Sequence, residues 1–404
     1  MRKLAILSLH TSPLAQPGTG DGGGMNVYVR ELGGALAQAG VETTIYTRKW
    51  SDDLAETVDV EPGLRVAHVE AGPVDLPKEA LPEIVDDFAK GVELRLLDDG
   101  DVDAIHANYW LSGVAGHQLK HRLDLPLVST FHTLARVKAQ TGDPEPERRA
   151  HAEAEVVACS DAILANSEAE RAQLIDFYGA PADRIEIVPP GVEHAFFSPG
   201  DQRGARSALD LDPDRPVVLF VGRIQPLKGL DVAIEAFARL ERRDAQLVVV
   251  GGASGLQGEV EVARIRSLAA SLGVTDRIRF VEPQPHHLLS TYYRAADLVF
   301  VPSRSESFGL VALEASACGV PVVASAVGGL LSLVDDGKNG FLVDGREPAA
   351  FARHADSILG DPELAASLSV AGAQRARQYT WSTAAARLRR LYADLSTRSL
   401  VTCP

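Results

Sequence analysis

Two stretches of this sequence combine cations, carboxylates and glycines at spacings that suit an anionic ligand. In Gly222-Arg223-Ile224-Gln225-Pro226-Leu227-Lys228-Gly229, Arg223 and Lys228 are spaced as a loop pair rather than a helix-face pair, and a helix is expected to follow. Two cations beside a helix N-terminus suit a pyrophosphate, although the segment alone also reads as a solvated loop. The second stretch runs Pro302-Ser303-Arg304-Ser305-Glu306-Ser307-Phe308-Gly309-Leu310-Val311-Ala312-Leu313-Glu314. If Phe308 to Ala317 is helical, Glu306 precedes its N-terminus and Glu314 lies roughly ten ångströms along the axis at about 1.5 Å per residue. One carboxylate then reaches a sugar hydroxyl and the other a ribose, while the N–H groups of Gly309 and Leu310 take phosphate oxygens. The plain alternative is a capped helix with a surface acid. Glu314 sits among Ala312, Leu313 and Ala315, where an unpaired charge is costly, and this favours function.

A third stretch carries five glycines, Gly18, Gly20, Gly22, Gly23 and Gly24, between an apolar strand ending near His10 and a helix starting near Met25. Without Cβ atoms such a run can bring bare N–H groups to an anion at a helix N-terminus. It matches G-x-G-x-x-G, with Glu42 near the distance of a ribose-binding acid. The dinucleotide fingerprint, however, turns straight off its strand, whereas here seven residues including Pro13 and Pro17 intervene after His10. A flexible surface loop is the other reading. Elsewhere His132 and Thr133 end the apolar run Leu127 to Phe131, and Tyr109 and Trp110 follow the run from Ala104. A strand-end histidine is as readily a structural residue as a catalytic one. Lys78 and Arg149 fall in polar segments and alone read as surface cations.

These residues need elements to hold them. Short β-rich runs alternate with amphipathic helices: Leu4–Leu9, Thr43–Thr47, Leu64–Val69, Ala104–Asn108, Leu127–Phe131 and Ala162–Ala165, then Val217–Val221, Leu247–Val250, Ile278–Val281, Leu298–Val301, Pro321–Ala324 and Gly340–Val343. Two such series predict an α/β chain with two Rossmann-like, doubly wound parallel sheets. The segment Val188 to Gly200, with three prolines and two glycines, suits the connection between them. Domains of 1–195 and 196–379 are expected, with a final helix, about 380–404, packing back on the first. In open parallel sheets ligands gather at the carboxyl ends of the strands, so a ligand cleft is expected where strand-end loops of both domains meet.

At 404 residues and 46% apolar the chain exceeds one ordinary core, and its longest apolar runs are far short of a membrane span. No charged-then-apolar leader precedes Lys3 to Leu9, so a cytoplasmic protein is expected. A net charge of −15 opposes nucleic acid and anionic lipid surfaces as partners, so an anionic ligand must be held by a few local cations. Cys159, Cys318 and Cys403 show no metal or redox spacing, and reduced or incidental thiols are the expectation.

With Glu306 to Glu314, Gly222-Arg223 and Lys228-Gly229 in hand, the chain resembles the family 4 retaining glycosyltransferases of GT-B fold along essentially its whole length. The run His10 to Tyr28 is narrower and is similar to the inositol-3-phosphate glycosyltransferases of mycothiol biosynthesis. That resemblance implies transfer of N-acetylglucosamine from UDP-GlcNAc, the co-substrate, to 1D-myo-inositol 3-phosphate. Its phosphate-holding residues match Lys78, Tyr109, Thr133 and Arg149, while His10, Asp21, Gly22, Gly23, Gly24, Met25 and Asn26 border the acceptor. On the donor side it assigns Arg223 and Lys228 to the diphosphate, Glu306 to the transferred sugar, Glu314 to the ribose and Gly24 to the phosphates. Gln16 lines the same site and Gln284 sits where the uracil is held. By analogy the backbone at Tyr293, Arg294, Ala296 and Val320 is a candidate magnesium site, but no carboxylate cluster argues for a catalytic metal. A homodimer is common in the family.

The implied reaction has Arg223, Lys228 and helix N-termini stabilise the departing diphosphate. No carboxylate stands out as a nucleophile, so front-face attack is expected, with His132 orienting the donor sugar and the lobes closing over both substrates. A sucrose-phosphate-synthase-like enzyme and a phosphatidylinositol mannosyltransferase share the Glu306 to Glu314 signature. A GT-B-like sugar-nucleotide epimerase would not need Lys78 or Arg149, and a non-enzymatic sensor would lose Arg223, Lys228 or Glu306.

Overall fold

The computed structural model describes every residue except Met1, Thr19, Asp21, Asp101, Leu256, Gln257 and Pro404. Strands β1 (Lys3–Leu7), β2 (Glu42–Arg48), β3 (Thr57–Glu61), β4 (Leu64–Val69), β5 (Ala104–Asn108), β6 (Leu127–Thr130), β7 (Ala162–Ala165) and β8 (Ile185–Ile187) form one sheet. Its order is β3-β4-β2-β1-β5-β6-β7-β8. Strands β9 (Val217–Val221), β10 (Gln246–Val250), β11 (Ile278–Val281), β12 (Leu298–Val301), β13 (Val322–Ser325) and β14 (Gly340–Val343) form a second, in the order β11-β10-β9-β12-β13-β14. Only β3 runs antiparallel to its neighbour among the described pairs. The two doubly wound sheets expected from the βα alternation are therefore present. Their central strands are buried on both faces, as helices covering both sides require.

Two compact units result: Met1–Ala15, Met25–Gly191 and Trp381–Pro404 in one, Gln16–Gly24 and Val192–Thr380 in the other. In the first unit, one sheet face packs the helices Gly24–Gln38 and Trp381–Leu395 in a cluster that includes Tyr28, Leu32, Trp381, Leu388 and Tyr392. Trp381 meets the Tyr28 ring edge-on at 5.8 Å. Each such large side chain contributes about 1.5–3 kcal/mol on burial, enough to fix the helix Trp381–Leu395 against this sheet. The other face buries Phe88, Trp110 and Leu119 from the helices Val85–Asp99 and Trp110–Leu123.

Several local expectations are corrected. β3 alternates exposed and half-buried residues and β8 spans three residues, so neither offered an apolar run. The expected helix from Phe308 starts at Leu310, because Gly309 holds φ 107° and breaks it. Cys159 and Cys403 are not separate thiols: they pair as a disulfide across 244 residues, and Cys318 is free and buried.

Candidate active site

In the second sheet β9 has β10 on one side and β12 on the other, and the chain reverses its winding between β9 and β12. Ligands of open α/β sheets bind beyond the carboxyl ends of the strands at such a point. The loops after β9 and β12 meet there: Lys228 Nζ lies 2.8 Å from Glu306 Oε2, to which Ser303 Oγ also donates at 3.3 Å. Glycines make this approach feasible. Gly229 has φ 74°, and a Cβ on it would stand 2.2 Å from Pro302 O, so only glycine lets the Lys228 turn lie on the end of β12. A Cβ on Gly328 would stand 1.9 Å from Glu306 O, while Gly329 N–H donates to that carbonyl at 2.9 Å. The segment bearing Glu306 is thereby clamped from behind. Arg223 donates to Ser254 Oγ at 3.1 Å, and Ser254 donates to Gly20 O at 3.0 Å.

Glu314 is buried but its charge is not unpaired. Oε1 accepts from His286 Nε2 at 2.7 Å and Oε2 from Tyr293 O–H at 2.8 Å. This corrects the argument that an unsatisfied carboxylate marked it as functional. Burial and the adjoining carboxylate push the Tyr293 phenol well up, so it stays a donor to Glu314.

The first sheet reverses its winding between β1 and β5. The ring of His10, from the loop after β1, meets the ring of Tyr109, from the end of β5, at a centroid distance of 4.2 Å. Around them Arg149 gathers the acceptor candidates. It donates to Thr133 O at 3.0 Å, Thr133 Oγ1 at 2.9 Å and Tyr109 Oη at 3.2 Å, and its guanidinium lies 4.9 Å from the Tyr109 ring centre. Arg149 is 2% exposed, not the surface cation its polar segment suggested. It is retained as a cation by Glu153 Oε1 at 2.7 Å and Glu145 Oε1 at 2.9 Å. Burial alone would raise the Glu145 carboxyl, but the hydrogen bond from Lys138 and the charges of Arg149, Lys138 and Lys78 hold it below its ordinary range. Lys78 thus acts electrostatically on the same cluster, from the start of the turn Lys78–Ile84, and Arg148 donates to Glu79 O at 3.3 Å beside it.

Two residues here hold backbone conformations that L side chains rarely adopt. Tyr109 has φ 75° and ψ 155°, a region otherwise left to glycine. His132 has φ 61° and is the centre of a three-residue turn closed by Thr133 N–H to Phe131 O at 2.7 Å. The other described non-glycine residues with positive φ, Asp124 and Asp210, are aspartates, which tolerate that region. Strain of about 1–3 kcal/mol per residue, placed at the carboxyl ends of the adjacent strands β5 and β6, makes these loops a candidate functional site. His132 lies 2.9 Å from Asn108 Oδ1, which can only accept, so Nε2 carries the hydrogen. Desolvation, reinforced by His106, lowers the His132 pKa to about 3, and the ring is neutral at physiological pH.

Residues 201–375 match the family model for glycosyl transferases group 1, and residues 22–196 match that for Glycosyltransferase Family 4. A D-inositol 3-phosphate glycosyltransferase of Salinispora tropica is 50% identical over 400 residues, covering 94% of this chain and 83% of that relative. One from Xylanimonas cellulosilytica is 47% identical over 410 residues, covering 98% and 97%. This chain belongs to the D-inositol 3-phosphate glycosyltransferase family. Among solved structures, the sucrose-phosphate synthase of Thermosynechococcus elongatus superposes with TM-score 0.91 at 34% identity, covering 98% of this chain and 99% of that one. Anabaena HepE in complex with UDP and glucose superposes with TM-score 0.80 at 20% identity, covering 98% and 100%, a likeness of fold. The two sheets are those of a GT-B glycosyltransferase.

Within this family member the remaining candidates divide by unit. Gln16 Nε2 donates to Pro283 O at 2.8 Å, next to Gln284, whose own amide donates to Glu282 O at 2.9 Å. Gly23 lies against Arg223, Gly24 against Leu310, and Gly22 O accepts from Gly18 N–H at 2.9 Å, all inside the second unit. Met25 and Asn26 begin the first unit's helix Gly24–Gln38, where the buried Asn26 amide donates to Thr11 Oγ1 at 2.7 Å and fastens the loop after β1. Asp21 lies outside the described residues. The backbone suggested for magnesium lies in the second unit, at the end of the helix Leu289–Ala295 and beyond it. Tyr293 O accepts from Ala296 N–H at 3.0 Å and Ala296 O from Gln202 Nε2 at 3.0 Å, each carbonyl keeping a second lone pair, and no step below is routed through a metal.

Sequence reasoning missed Asn108, Lys138, Glu145 and Glu153. Asn108 is buried, and its Nδ2 finds no acceptor among the described residues. Glu145, four residues before Arg149, and Glu153, four after it, are at helix-neighbour spacing. That spacing could have suggested an arginine embedded between acids.

Proposed function

We propose that this chain transfers N-acetylglucosamine from UDP-GlcNAc to 1D-myo-inositol 3-phosphate with retention of configuration. The observation that carries the acceptor class is the convergence of Arg149, Thr133 and Tyr109, with Lys78 acting on the same cluster, in a protein of net charge −15. A cation, a hydroxyl and a phenol fixed by a buried guanidinium suit one phosphomonoester. The curated relatives carry the same acceptor in their names. The four residues hold the acceptor phosphate, and His132, neutral with its hydrogen on Nε2 directed to Asn108, orients the donor sugar rather than taking a proton.

On the donor side, Arg223 and Lys228 face the diphosphate, where negative charge develops and fixed cations help most. Glu306 binds the transferred sugar and Glu314 the ribose, while Gln16 and the Gln284 segment border the base. The sugar's C1–O bond to the diphosphate breaks, and C1 bonds to the acceptor hydroxyl oxygen on the same face. The hydroxyl proton passes to the departing phosphate oxygen. UDP and the glycosylated inositol phosphate leave. A homodimer in the cytoplasm accords with the family resemblance.

A second reading has its own support: the sucrose-phosphate synthase at 34% identity suggests fructose 6-phosphate as acceptor. Both are tested by incubating the protein with UDP-GlcNAc, UDP-glucose or GDP-mannose against inositol phosphate isomers and fructose 6-phosphate. UDP release, product mass and the anomeric proton coupling are then measured. The expected result is one α-linked product, from UDP-GlcNAc and inositol 3-phosphate. A β-linked product overturns retention, a fructose 6-phosphate product favours the second reading, and UDP release without any acceptor favours epimerase or hydrolase chemistry.

A further inference from the structure

Far along the helices that carry Tyr109 and Arg149 lies a cluster the transfer chemistry does not use. His117 and His121, four residues apart on the helix Trp110–Leu123, turn their Nε2 atoms to 3.0 Å from one another. His121 Nε2 also lies 3.1 Å from Cys403 Sγ. Cys403 pairs with Cys159, the last residue of the helix Glu147–Cys159. One donor atom from each of His117, His121, Cys159 and Cys403 lies within 4.8 Å of all the others. All four residues belong to the first unit.

A disulfide accounts for the sulfurs but not for the imidazoles. Two neutral rings can share one hydrogen between facing nitrogens, which gives neither a reason to converge on sulfur as well. Two imidazoles and two thiolates are instead the donor set of a tetrahedral zinc-type site, with metal–nitrogen distances of about 2.0–2.1 Å and metal–sulfur distances of about 2.3 Å. Such a tetrahedron has edges of about 3.3–3.8 Å, inside the span found here.

The surroundings hold the ligands in place independently of any bond between the sulfurs. Val401 N–H donates to Asp161 Oδ1 at 2.7 Å, anchoring the segment that bears Cys403 two residues before it. The buried Lys120 Nζ donates to Asp161 Oδ2 and to Cys159 O, both at 2.8 Å. This fixes the end of the helix that bears Cys159.

We propose that, in the reduced chain, His117, His121, Cys159 and Cys403 bind one divalent transition-metal ion, zinc by preference. Reduction of the disulfide by a dithiol reductant supplies two electrons and two protons. Metal binding then releases those two protons and leaves a neutral site of two thiolates, two imidazoles and one dication. The ion ties the ends of the helices Trp110–Leu123 and Glu147–Cys159 to the segment after Leu395, at the far ends from Tyr109 and Arg149.

The full chain, purified under a dithiol reductant that is then removed anaerobically, is titrated with Zn²⁺ and with Co²⁺. The expected result is one ion per chain, with Co²⁺ giving the visible bands and the sulfur-to-metal charge-transfer band of tetrahedral thiolate coordination. His121→Ala, at an exposed position, should weaken binding by more than about a hundredfold, beyond the 10–100-fold of outer partners. Cys403→Ser should abolish the charge-transfer intensity, and Cys318→Ala should retain full uptake. Three free thiols with no tetrahedral cobalt bands would overturn the site. So would uptake that is unchanged in both His121→Ala and Cys403→Ser.

Discussion

Lys228→Ala separates a residue that stabilises the leaving group from one that merely pairs with Glu306. The ammonium and carboxylate are 26% and 17% exposed, so solvent screens the ion pair and its loss costs no more than about 1 kcal/mol of stability. For a chain of this size that is a Tm change of no more than about 2 °C. Removing one fixed charge from the point where negative charge develops instead lowers turnover by about 10²–10³, or about 2.7–4 kcal/mol. The assay is UDP release at saturating UDP-GlcNAc and inositol 3-phosphate, alongside thermal unfolding. Repeating Lys228→Ala in a Glu306→Gln background completes the test. A lysine that only positions Glu306 has no further effect there, whereas one that meets the diphosphate still costs most of its factor. Turnover of Lys228→Ala within twofold of the parent protein would refute the assignment.

Other outcomes follow from the same geometry. Thr133→Val removes the hydroxyl that accepts from Arg149 and that we propose contacts the acceptor phosphate, and it should raise KM for inositol 3-phosphate by about tenfold or more, with donor KM unchanged in steady-state kinetics. Gly229→Ala places a Cβ 2.2 Å from Pro302 O at φ 74°, so it should displace Lys228 and lower kcat more than KM. His106, fully buried, also has its pKa lowered from 6.5 to about 3 by desolvation. The unfolded chain binds this proton below about pH 6.5 and the folded chain does not. Its stabilising contribution is therefore present above pH 6.5 and is lost at about 1.4 kcal/mol per pH unit as pH falls toward 3, and denaturant unfolding at stepped pH should show a shallower slope in His106→Gln. His132 follows the same sign, and the pH–rate profile between about pH 5 and 8 should carry no limb that His132→Gln removes.

Periodicity carried most of the fold, because the central strands are buried on both faces and their runs stand out from amphipathic helices. It did not carry β3, an antiparallel edge strand without an apolar run, or the start of the helix at Leu310, which a single positive φ at Gly309 decides. The loops that bring Lys228 to Glu306 stood out in the sequence because Arg223, Lys228, Glu306 and Gly309 all lie between an apolar strand and the helix that follows it. Arg149 was recoverable only through resemblance, since its partners Tyr109 and Thr133 reach it through the fold, 40 and 16 residues away. The backbone strain at Tyr109 and His132 leaves no mark in composition. Nor does the meeting of His117, His121 and Cys159 with Cys403, whose two cysteines are 244 residues apart.

The reading rests above all on a phosphate-holding first unit, and the ratio of kcat/KM for inositol 3-phosphate to that for free myo-inositol, both with UDP-GlcNAc, tests it most directly. Two charge-assisted contacts at about 2 kcal/mol each give an expected ratio of roughly 10³ in favour of the phosphate. A ratio near one contradicts the role given to Lys78, Tyr109, Thr133 and Arg149.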